Sequence, residues 1–247
     1  MTKNPFTVPS SVLRMIQPDI PAIRIIEMEQ NMRYKAVLFD MDGTVLDTLG
    51  DLTNAVNHVL TLYGMPRREK RDVAGFLGNG AAQLLAKSVP AGTSGETLAE
   101  MLRVYQPWCD SHCAILTAPY PGILPMMEAL REAGVKQAVI SNKQDSAVRQ
   151  LAEQHFPGLL EVTVGESATV RRKPNPDAVL AALREMGVSR DEAVYVGDTE
   201  VDLRTAENAG LACAAVGWGF RTEEQLRAAG AGYIFHSADE LRDWLMA

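Results

Sequence analysis

The stretch Lys35-Ala36-Val37-Leu38-Phe39-Asp40-Met41-Asp42-Gly43-Thr44 is a short apolar run that ends at two closely spaced aspartates. An apolar run of this length and composition predicts a buried strand, and the Asp-Met-Asp-Gly that follows predicts the loop at its end. Residues two apart on an extended chain point to the same side, so the carboxylates of Asp40 and Asp42 should lie close together. Two neighbouring carboxylates repel each other unless a cation lies between them.

Further short apolar runs alternate with helical patterns along the rest of the chain. The stronger runs are residues 135–140 and 192–196, and the weaker ones are residues 161–164, 212–216 and 233–235. The helical patterns between them end at glycines, which are common helix stops: Gly134, Gly187 and Gly210. This alternation predicts an α/β fold, a Rossmann-like parallel sheet with helices on both faces.

Residues 50–114 interrupt the alternation, because they have helical periodicity and no convincing strand. One amphipathic pattern runs from Leu52 to Tyr63 and is closed by Gly64, and a second spans Leu98 to Tyr105. An inserted α-helical domain is therefore expected. The predicted organisation is an N-terminal extension at 1–33, a core domain at 34–49 and 115–247, and the insertion at 50–114.

Composition limits the function classes. The chain has 247 residues, a net charge of −7, 47% hydrophobic and 22% charged residues, which is typical of a soluble globular protein. The acidic balance predicts no nucleic-acid or membrane partner, and no apolar run is long enough to span a bilayer. Cys109, Cys113 and Cys213 are an odd number, and the first 31 residues lack a leader pattern, so a cytoplasmic protein is expected.

Candidate functional residues follow from the rule that parallel sheets bind ligands beyond the carboxyl ends of their strands. The residues that follow or flank the predicted strand ends are Asp40, Asp42, Thr44, Ser141, Asn142, Lys173, Asp198 and Asp202. An acidic cluster without His or Cys favours Mg²⁺ over softer metals. Taken singly, Asp42-Gly43 is also typical of a tight turn, and Asp198 or Asp202 of a helix cap. Those local roles leave unexplained why acids, a lysine and a serine all fall at strand ends.

These residues also resemble a known family. Four ordered segments are similar to the four motifs of the haloacid dehalogenase superfamily: Phe39 to Thr48, Ser141-Asn142-Lys143, Lys173-Pro174-Asn175-Pro176 and Gly197 to Asp202. The resemblance extends over residues 34–245, and the insertion resembles the small α-helical cap of that family. Leu77-Gly78-Asn79-Gly80-Ala81 in the cap makes the phosphoglycolate phosphatase-like branch the nearest resemblance.

The resemblance implies a role for each residue. Asp40 would be the nucleophile that forms an aspartyl phosphate, and Asp42 the general acid and base. Lys173 would neutralise charge at the transferring phosphoryl group. Mg²⁺ would be held by Asp40, the backbone carbonyl of Asp42 and Asp198, while Asp202 would orient the metal's waters or Lys173. The residues expected to bind phosphate or substrate are Gly43, Thr44, Asn79, Ser141 and Asn142.

The implied function is that of a Mg²⁺-dependent phosphatase for a small phosphorylated metabolite, best matched by 2-phosphoglycolate, working as a monomer or homodimer. A β-phosphoglucomutase-like phosphosugar mutase and a non-catalytic phosphate-binding protein are the alternatives. A dehalogenase is disfavoured because its chemistry has no use for Asp42. Phosphonoacetaldehyde hydrolysis would need a cap lysine, for which Lys70 and Lys87 are the candidates, and neither lies in a motif.

Two further clusters favour structural roles. Cys109, His112 and Cys113 are closely spaced but have no second ligand pair, so they form a weak zinc candidate. Arg171-Arg172 precedes Lys173 and is expected to be a solvated basic patch.

Overall fold

The computed structural model describes residues 33–247, so almost all of the predicted extension at 1–33 lies outside the described residues. In chain order the strands are β1 (Ala36–Phe39), β2 (Leu46–Asp47), β3 (Ala118–Pro119), β4 (Lys136–Gln144), β5 (Val162–Glu166), β6 (Ala193–Gly197), β7 (Ala212–Val216) and β8 (Tyr233–Phe235). The helices are α1 (Leu49–Leu62), α2 (Lys70–Phe76), α3 (Ala81–Ser88), α4 (Gly95–His112), α5 (Ile123–Glu132), α6 (Asp145–His155), α7 (Asp177–Met186), α8 (Glu200–Ala209), α9 (Glu223–Ala228) and α10 (Ala238–Leu245).

Six of the strands form one parallel sheet in the order β5-β4-β1-β6-β7-β8. The predicted α/β fold is therefore confirmed. Every residue of the central strands β1 and β6 is buried, as expected for a sheet covered on both faces. Phe39 pairs in register with Val139 of β4 and Val196 of β6. The carboxyl ends of these three strands consequently lie side by side.

Alternation along β1 divides the core into two layers. Val37 and Phe39 pack into one apolar cluster with residues of α5, α6 and α10, whereas Ala36 and Leu38 pack into another with residues of α7 and α8. Successive side chains of a strand point to opposite faces. Helices on both faces leave the strand ends as the edge where polar side chains can meet.

The helices α1 to α4 form a cap with its own apolar cluster, which includes Leu52, Leu84 and Tyr105. The two chain segments that join it to the sheet pair as the short antiparallel ladder of β2 and β3. Asp51 accepts hydrogen bonds from the backbone nitrogens of residues 115–117 and from the Thr117 hydroxyl. The boundary expected at residue 50 falls inside α1, which begins at Leu49.

The strands differ from the apolar runs at their carboxyl ends. The run at 135–140 continues as an extended chain to Gln144, so Ser141 and Asn142 lie within β4 rather than beyond it. The pairing of β4 with β5 changes register between Ile140 and Gln144. The run at 161–164 likewise extends to Glu166. A hydrophobic pattern stops where the side chains become polar, although the backbone remains extended.

Candidate active site

Asp40 lies at the carboxyl end of β1, where its backbone nitrogen still bonds to the Val196 carbonyl of β6. Its side chain is 10% exposed. Oδ1 accepts a hydrogen bond from Met41 N at 2.7 Å and lies 2.8 Å from Lys173 Nζ. The strand and the ion pair thus hold one carboxylate oxygen in place at the sheet edge.

The loop after Asp40 is a tight turn. Gly43 has a φ of +84° and its nitrogen donates to the Leu46 carbonyl, which explains the need for glycine there. Asp42 projects from this turn with 18% of its side chain exposed. The turn predicted for Asp42-Gly43 is therefore present, and it leaves the Asp42 side chain partly exposed beside Asp40.

Lys173 is a buried ammonium that joins two carboxylates. Its Nζ lies 2.8 Å from Asp40 Oδ1 and 2.8 Å from Asp202 Oδ1, and it donates to the Tyr195 hydroxyl at 3.1 Å. Burial acts to lower the pKa of Lys173, but the Asp202 and Asp40 carboxylates hold that pKa well above its ordinary value. Lys173 is therefore a permanent positive charge beside Asp40.

Asn142 fixes the backbone of Lys173. Its Oδ1 accepts from Lys173 N at 2.8 Å, and its Nδ2 donates to the carbonyls of Lys173 at 3.1 Å and of Gly78 at 3.0 Å. The Asn142 side chain thus joins β4, the lysine segment and the cap, while the contact predicted for phosphate involves the Asn142 backbone. Ser141 is buried next to it and accepts from the backbone nitrogen of Lys143 at 3.3 Å.

Asp198 follows β6 and is fully buried. Its Oδ1 accepts from the Thr44 hydroxyl at 3.1 Å, and its Oδ2 accepts from Phe220 N at 2.7 Å. A side chain on either Gly43 or Gly219 would overlap the Asp198 carboxylate. Thr44, predicted to bind phosphate, is therefore placed as a support for Asp198.

Asp202 has both carboxylate oxygens engaged within the chain. Oδ1 pairs with Lys173, while Oδ2 accepts from the nitrogen and the hydroxyl of Thr199 at 3.0 and 2.8 Å. Thr199 and Asp202 form a capping box at the start of α8. Asp202 is therefore both a helix cap and a contact that orients Lys173.

The charges at this edge fit a hard divalent cation. Asp40, Asp198 and Asp202 each offer a carboxylate oxygen, and these atoms lie within 4.8 Å of one another. Burial, together with the neighbouring carboxylates, raises the pKa of Asp40 to about 7 against the attraction of Lys173, and raises the pKa of Asp198 well above its usual range. One buried ammonium is too little for three buried carboxyl groups, and oxygen ligands of this kind suit Mg²⁺.

A cavity that is partly open to solvent lies between the cap and the sheet edge, and its empty space of about 670 Å³ includes solvent at its mouth. The core contributes Asp40, Asp42, Ser141 and Asn142, and the cap contributes mainly apolar side chains. Gly78 and Gly80 belong to the lining, while Asn79 between them does not. The cap loop predicted to contact substrate therefore reaches the cavity through its two glycines.

Two functional candidates escaped the sequence prediction. Lys143 Nζ lies 3.3 Å from Asp42 Oδ1 with 7% of its side chain exposed. Arg221 is buried and donates to the cap carbonyls of Ala74 and Leu77. Lys143 was visible as the third residue of the Ser141-Asn142-Lys143 segment, whereas nothing in the local sequence marked Arg221.

The secondary clusters have ordinary structural partners. The His112 ring stacks on Trp108 with the ring centroids 4.0 Å apart. Within residues 33–247, the three aspartates named above are the sole group of three or more His, Cys, Asp or Glu side chains that converge closely enough to hold an ion. Arg171 and Arg172 form ion pairs with Asp177 and Glu166.

The amino-acid sequence is similar to those of known hydrolases. Residues 37–216 match the sequence profile of the haloacid dehalogenase-like hydrolases. Phosphoglycolate phosphatase 1 of Pseudomonas aeruginosa is 34% identical over 193 residues, which cover 75% of this chain and 70% of that protein. N-acetylmuramic acid 6-phosphate phosphatase of the same organism is 28% identical over 218 residues, 87% of this chain and 96% of that protein.

Solved structures show the same fold. A crystal structure from Lactobacillus delbrueckii subsp. bulgaricus, assigned to a phosphoglycolate phosphatase, superposes with a TM-score of 0.82 at 38% identity and covers 87% of this chain and 99% of that one. CbbY from Rhodobacter sphaeroides, solved in complex with phosphate, has a TM-score of 0.68 at 26% identity, with 84% and 96% covered.

Proposed function

Because this chain belongs to the haloacid dehalogenase-like hydrolase family and is a phosphatase of phosphoric monoesters, we propose that it hydrolyses 2-phosphoglycolate with Mg²⁺ as cofactor. The products are glycolate and phosphate. The observation that carries the proposal is the meeting of Asp40, Lys173 and Asp198 beside a cavity that the cap closes. Relatives that share this fold and carry the phosphoglycolate phosphatase name support the substrate.

Asp40 is the nucleophile in this proposal. Met41 N and Lys173 Nζ both contact Oδ1, which leaves Oδ2 to attack phosphorus. A P–O bond to Oδ2 forms as the bond from phosphorus to the ester oxygen breaks, and its electron pair goes to that oxygen. The covalent aspartyl phosphate divides one difficult hydrolysis into two displacements.

Asp42 moves the proton in both displacements. It first donates a proton to the departing ester oxygen and then takes one from the water that attacks the aspartyl phosphate. The second displacement breaks the P–O bond to Asp40 and restores its carboxylate. Projection of Asp42 from the turn next to the nucleophile supports this assignment.

Positive charge and hydrogen-bond donors balance the negative charge of the phosphoryl group. Lys173 neutralises charge beside Asp40, and Ser141 with the backbone of Asn142 binds phosphoryl oxygens. Asp40, Asp198 and the Asp42 carbonyl would hold Mg²⁺, which would supply further neutralisation of the phosphoryl charge. The surplus of buried carboxyl groups supports this ligand set.

The proposal extends to partners and compartment. We expect a monomer or homodimer that acts on a small phosphorylated metabolite in the cytoplasm, without nucleic-acid or membrane partners. Cys109, Cys113 and Cys213 carry free thiols, which are compatible with a reducing compartment. In the part of the chain that the structure describes, no helix has the length and apolar character to cross a bilayer.

Phosphate release from a panel of esters tests the proposal. The panel contains 2-phosphoglycolate, N-acetylmuramic acid 6-phosphate and β-glucose 1-phosphate, each assayed with Mg²⁺ and with excess chelator. Rapid release from 2-phosphoglycolate that the chelator abolishes is the expected result. Faster release from another ester would identify that ester as the substrate in place of 2-phosphoglycolate. Conversion of β-glucose 1-phosphate to glucose 6-phosphate would favour the mutase alternative.

A further inference from the structure

Lys143 is a buried cation that none of the proposed steps uses. It lies in the carboxyl-terminal part of β4, and 7% of its side chain is exposed. Among the described side chains that line the cavity, it is the sole cationic one. Within residues 33–247 its Nζ donates to Asp42 Oδ1 alone, at 3.3 Å, although an ammonium group can donate three hydrogen bonds.

The position of Lys143 assigns it to one side of the substrate. Lys173 already contacts the nucleophile Asp40, so it can neutralise the negative charge of the phosphoryl group under attack. Lys143 instead contacts Asp42, the residue that protonates the departing oxygen in the proposed mechanism. A group within hydrogen-bond reach of Asp42 is therefore close to the leaving group, which is the part that differs between substrates.

Two acids of the lining pair with cations outside it, and a third, Asp110, accepts only from the neutral Gln106 amide among the described residues. Asp40 pairs with Lys173, and Glu166 pairs with Arg172 at 2.5 Å. Lys143 is an ammonium group with little contact with solvent, and such a group needs an anion beside it to be stable.

Asp42 cannot be that anion throughout the reaction. It carries a proton when it acts as the general acid, and in that form it is uncharged. A negative group on the leaving part of the substrate would then balance Lys143. Once Asp42 has given its proton to the ester oxygen, its carboxylate pairs with Lys143 again and competes with the product for the same ammonium group.

The cap side of the cavity offers little to a polyhydroxylated leaving group. Leu52, Leu77 and Leu84 line it, and the polar pair Gln106 and Asp110 is joined by a hydrogen bond of 3.3 Å. Sites that select sugars need donors and acceptors for each hydroxyl group, because an unpaired buried polar group is costly. A small leaving group with one anionic end fits these walls better.

We propose that Lys143 binds a carboxylate of the leaving group, so that the enzyme selects phosphate monoesters with an acid group next to the ester oxygen. This inference rests on the proposed function, since Asp42 must be the acid for Lys143 to adjoin the leaving group. It goes further by naming the residue that sets the substrate class.

The test compares two esters that differ in that group. 2-Phosphoglycolate carries the carboxylate, and 2-hydroxyethyl phosphate carries a hydroxymethyl group in its place. The measured quantity is the ratio of their kcat/KM values, because this ratio cancels the fraction of active protein. Wild type should prefer the carboxylate ester at least 10-fold. In Lys143→Met that ratio should fall by roughly 10- to 100-fold, the usual weight of a hydrogen bond to a charged group.

Control variants separate charge from packing. Lys143→Arg keeps a cation and should retain most of the preference, while Lys70→Met removes an exposed lysine at the start of α2 and should leave the ratio unchanged. Equal losses on both esters in Lys143→Met would overturn the inference and show that Lys143 acts through Asp42. If Lys143→Met does not fold, the wild-type ratio decides.

Wild type alone also distinguishes the two proposals. Hydrolysis of both esters at equal kcat/KM would overturn the role of Lys143 and leave the phosphatase mechanism standing. Release from neither ester, together with Mg²⁺-dependent release from another ester of the panel, would overturn both the 2-phosphoglycolate assignment and the carboxylate contact.

Discussion

Nη2 of Arg221 donates to the backbone carbonyl of Leu77 at 2.9 Å, and so joins segments that are 144 positions apart in the chain. The same guanidinium donates to Ala74 O and pairs with Glu200 at the start of α8. Arg221 therefore fastens the cap to the core above the cavity.

Replacement of this arginine should loosen the cap. Arg221→Met removes a donor from the Leu77 carbonyl and from the Glu200 carboxylate, whereas the Ala74 carbonyl keeps its bond from Leu77 N. This loss should lower the free energy of unfolding by about 2 kcal/mol. A less closed cap should also raise KM several-fold. Chemical denaturation and steady-state kinetics measure the two effects. The matched control is Arg227→Met, whose exposed pair with Glu223 should contribute less than about 0.5 kcal/mol.

Asp40→Asn should abolish turnover while the protein remains folded. The amide has nearly the same size and can still accept from Met41 N, but it lacks the charge that attacks phosphorus. The expected loss in kcat is on the order of 10⁴-fold or more, with an unchanged circular dichroism spectrum. Residual turnover within 10-fold of wild type would refute the assignment of the nucleophile.

The metal-free protein should lose stability as the pH rises from about 4 to about 7. Burial raises the pKa of Asp40 from 3.8 to about 7, so across this range the folded chain holds a proton that the unfolded chain has lost. The free energy of unfolding falls with pH wherever the folded state binds more protons. In denaturation experiments with chelator, the free energy of unfolding should decline less steeply with pH for Asp40→Asn than for the wild type. Parallel curves would contradict the buried-carboxyl argument.

Mg²⁺ should bind the folded protein and stabilise it. At a concentration 100 times Kd, the expected gain in the free energy of unfolding is about 2.7 kcal/mol. Asp198→Asn should remove most of this gain, because it removes a buried carboxylate from the cluster. Asp177→Asn alters an exposed acid on α7 and should retain the gain. Thermal unfolding with and without Mg²⁺ gives the comparison, and an equal gain in Asp198→Asn would argue against this site.

Gly219→Ala should disrupt the cluster of Asp40, Asp198 and Asp202, although no charged residue is replaced. The added methyl group would overlap both Asp198 Oδ2 and the Gly43 carbonyl oxygen, so the carboxylate must shift. We expect kcat/KM to fall by at least about 10-fold, as for other displaced catalytic groups, and Mg²⁺ to bind more weakly. Gly232→Ala is the control, because nothing lies within 4 Å of its added methyl group. Equal kinetics in the two variants would refute the close fit.

The sequence was sufficient for the sheet and for the residues that its strand ends present. The apolar run before Asp40 and the run before Asp198 belong to adjacent buried strands. Because these strands are parallel, both aspartates lie at the same edge of the sheet, as predicted. The alternative local role considered for Asp202 is also present, because Asp202 belongs to the capping box of α8.

Other contacts could not be read from local pattern. Lys143 meets Asp42 across 101 positions because β4 stays extended beyond its apolar run, and polar residues in a strand give no periodic signal. Arg221 lies in a loop, and its side chain is buried against carbonyl groups of the cap. These carbonyl groups are far away in sequence, so the residues around Arg221 give no signal for this contact. Side-chain direction and the seating of the cap are decided by tertiary packing.

The two-residue ladder of β2 and β3 has a consequence for the size of the insertion. Leu46 pairs with Pro119, so the chain leaves the sheet and returns to it at one point, with the whole cap as a loop between paired ends. The entropy of closing a loop rises by only about 0.6 kcal/mol for each doubling of its length. An insertion of very different size at this junction would therefore change the closure entropy of the core only slightly.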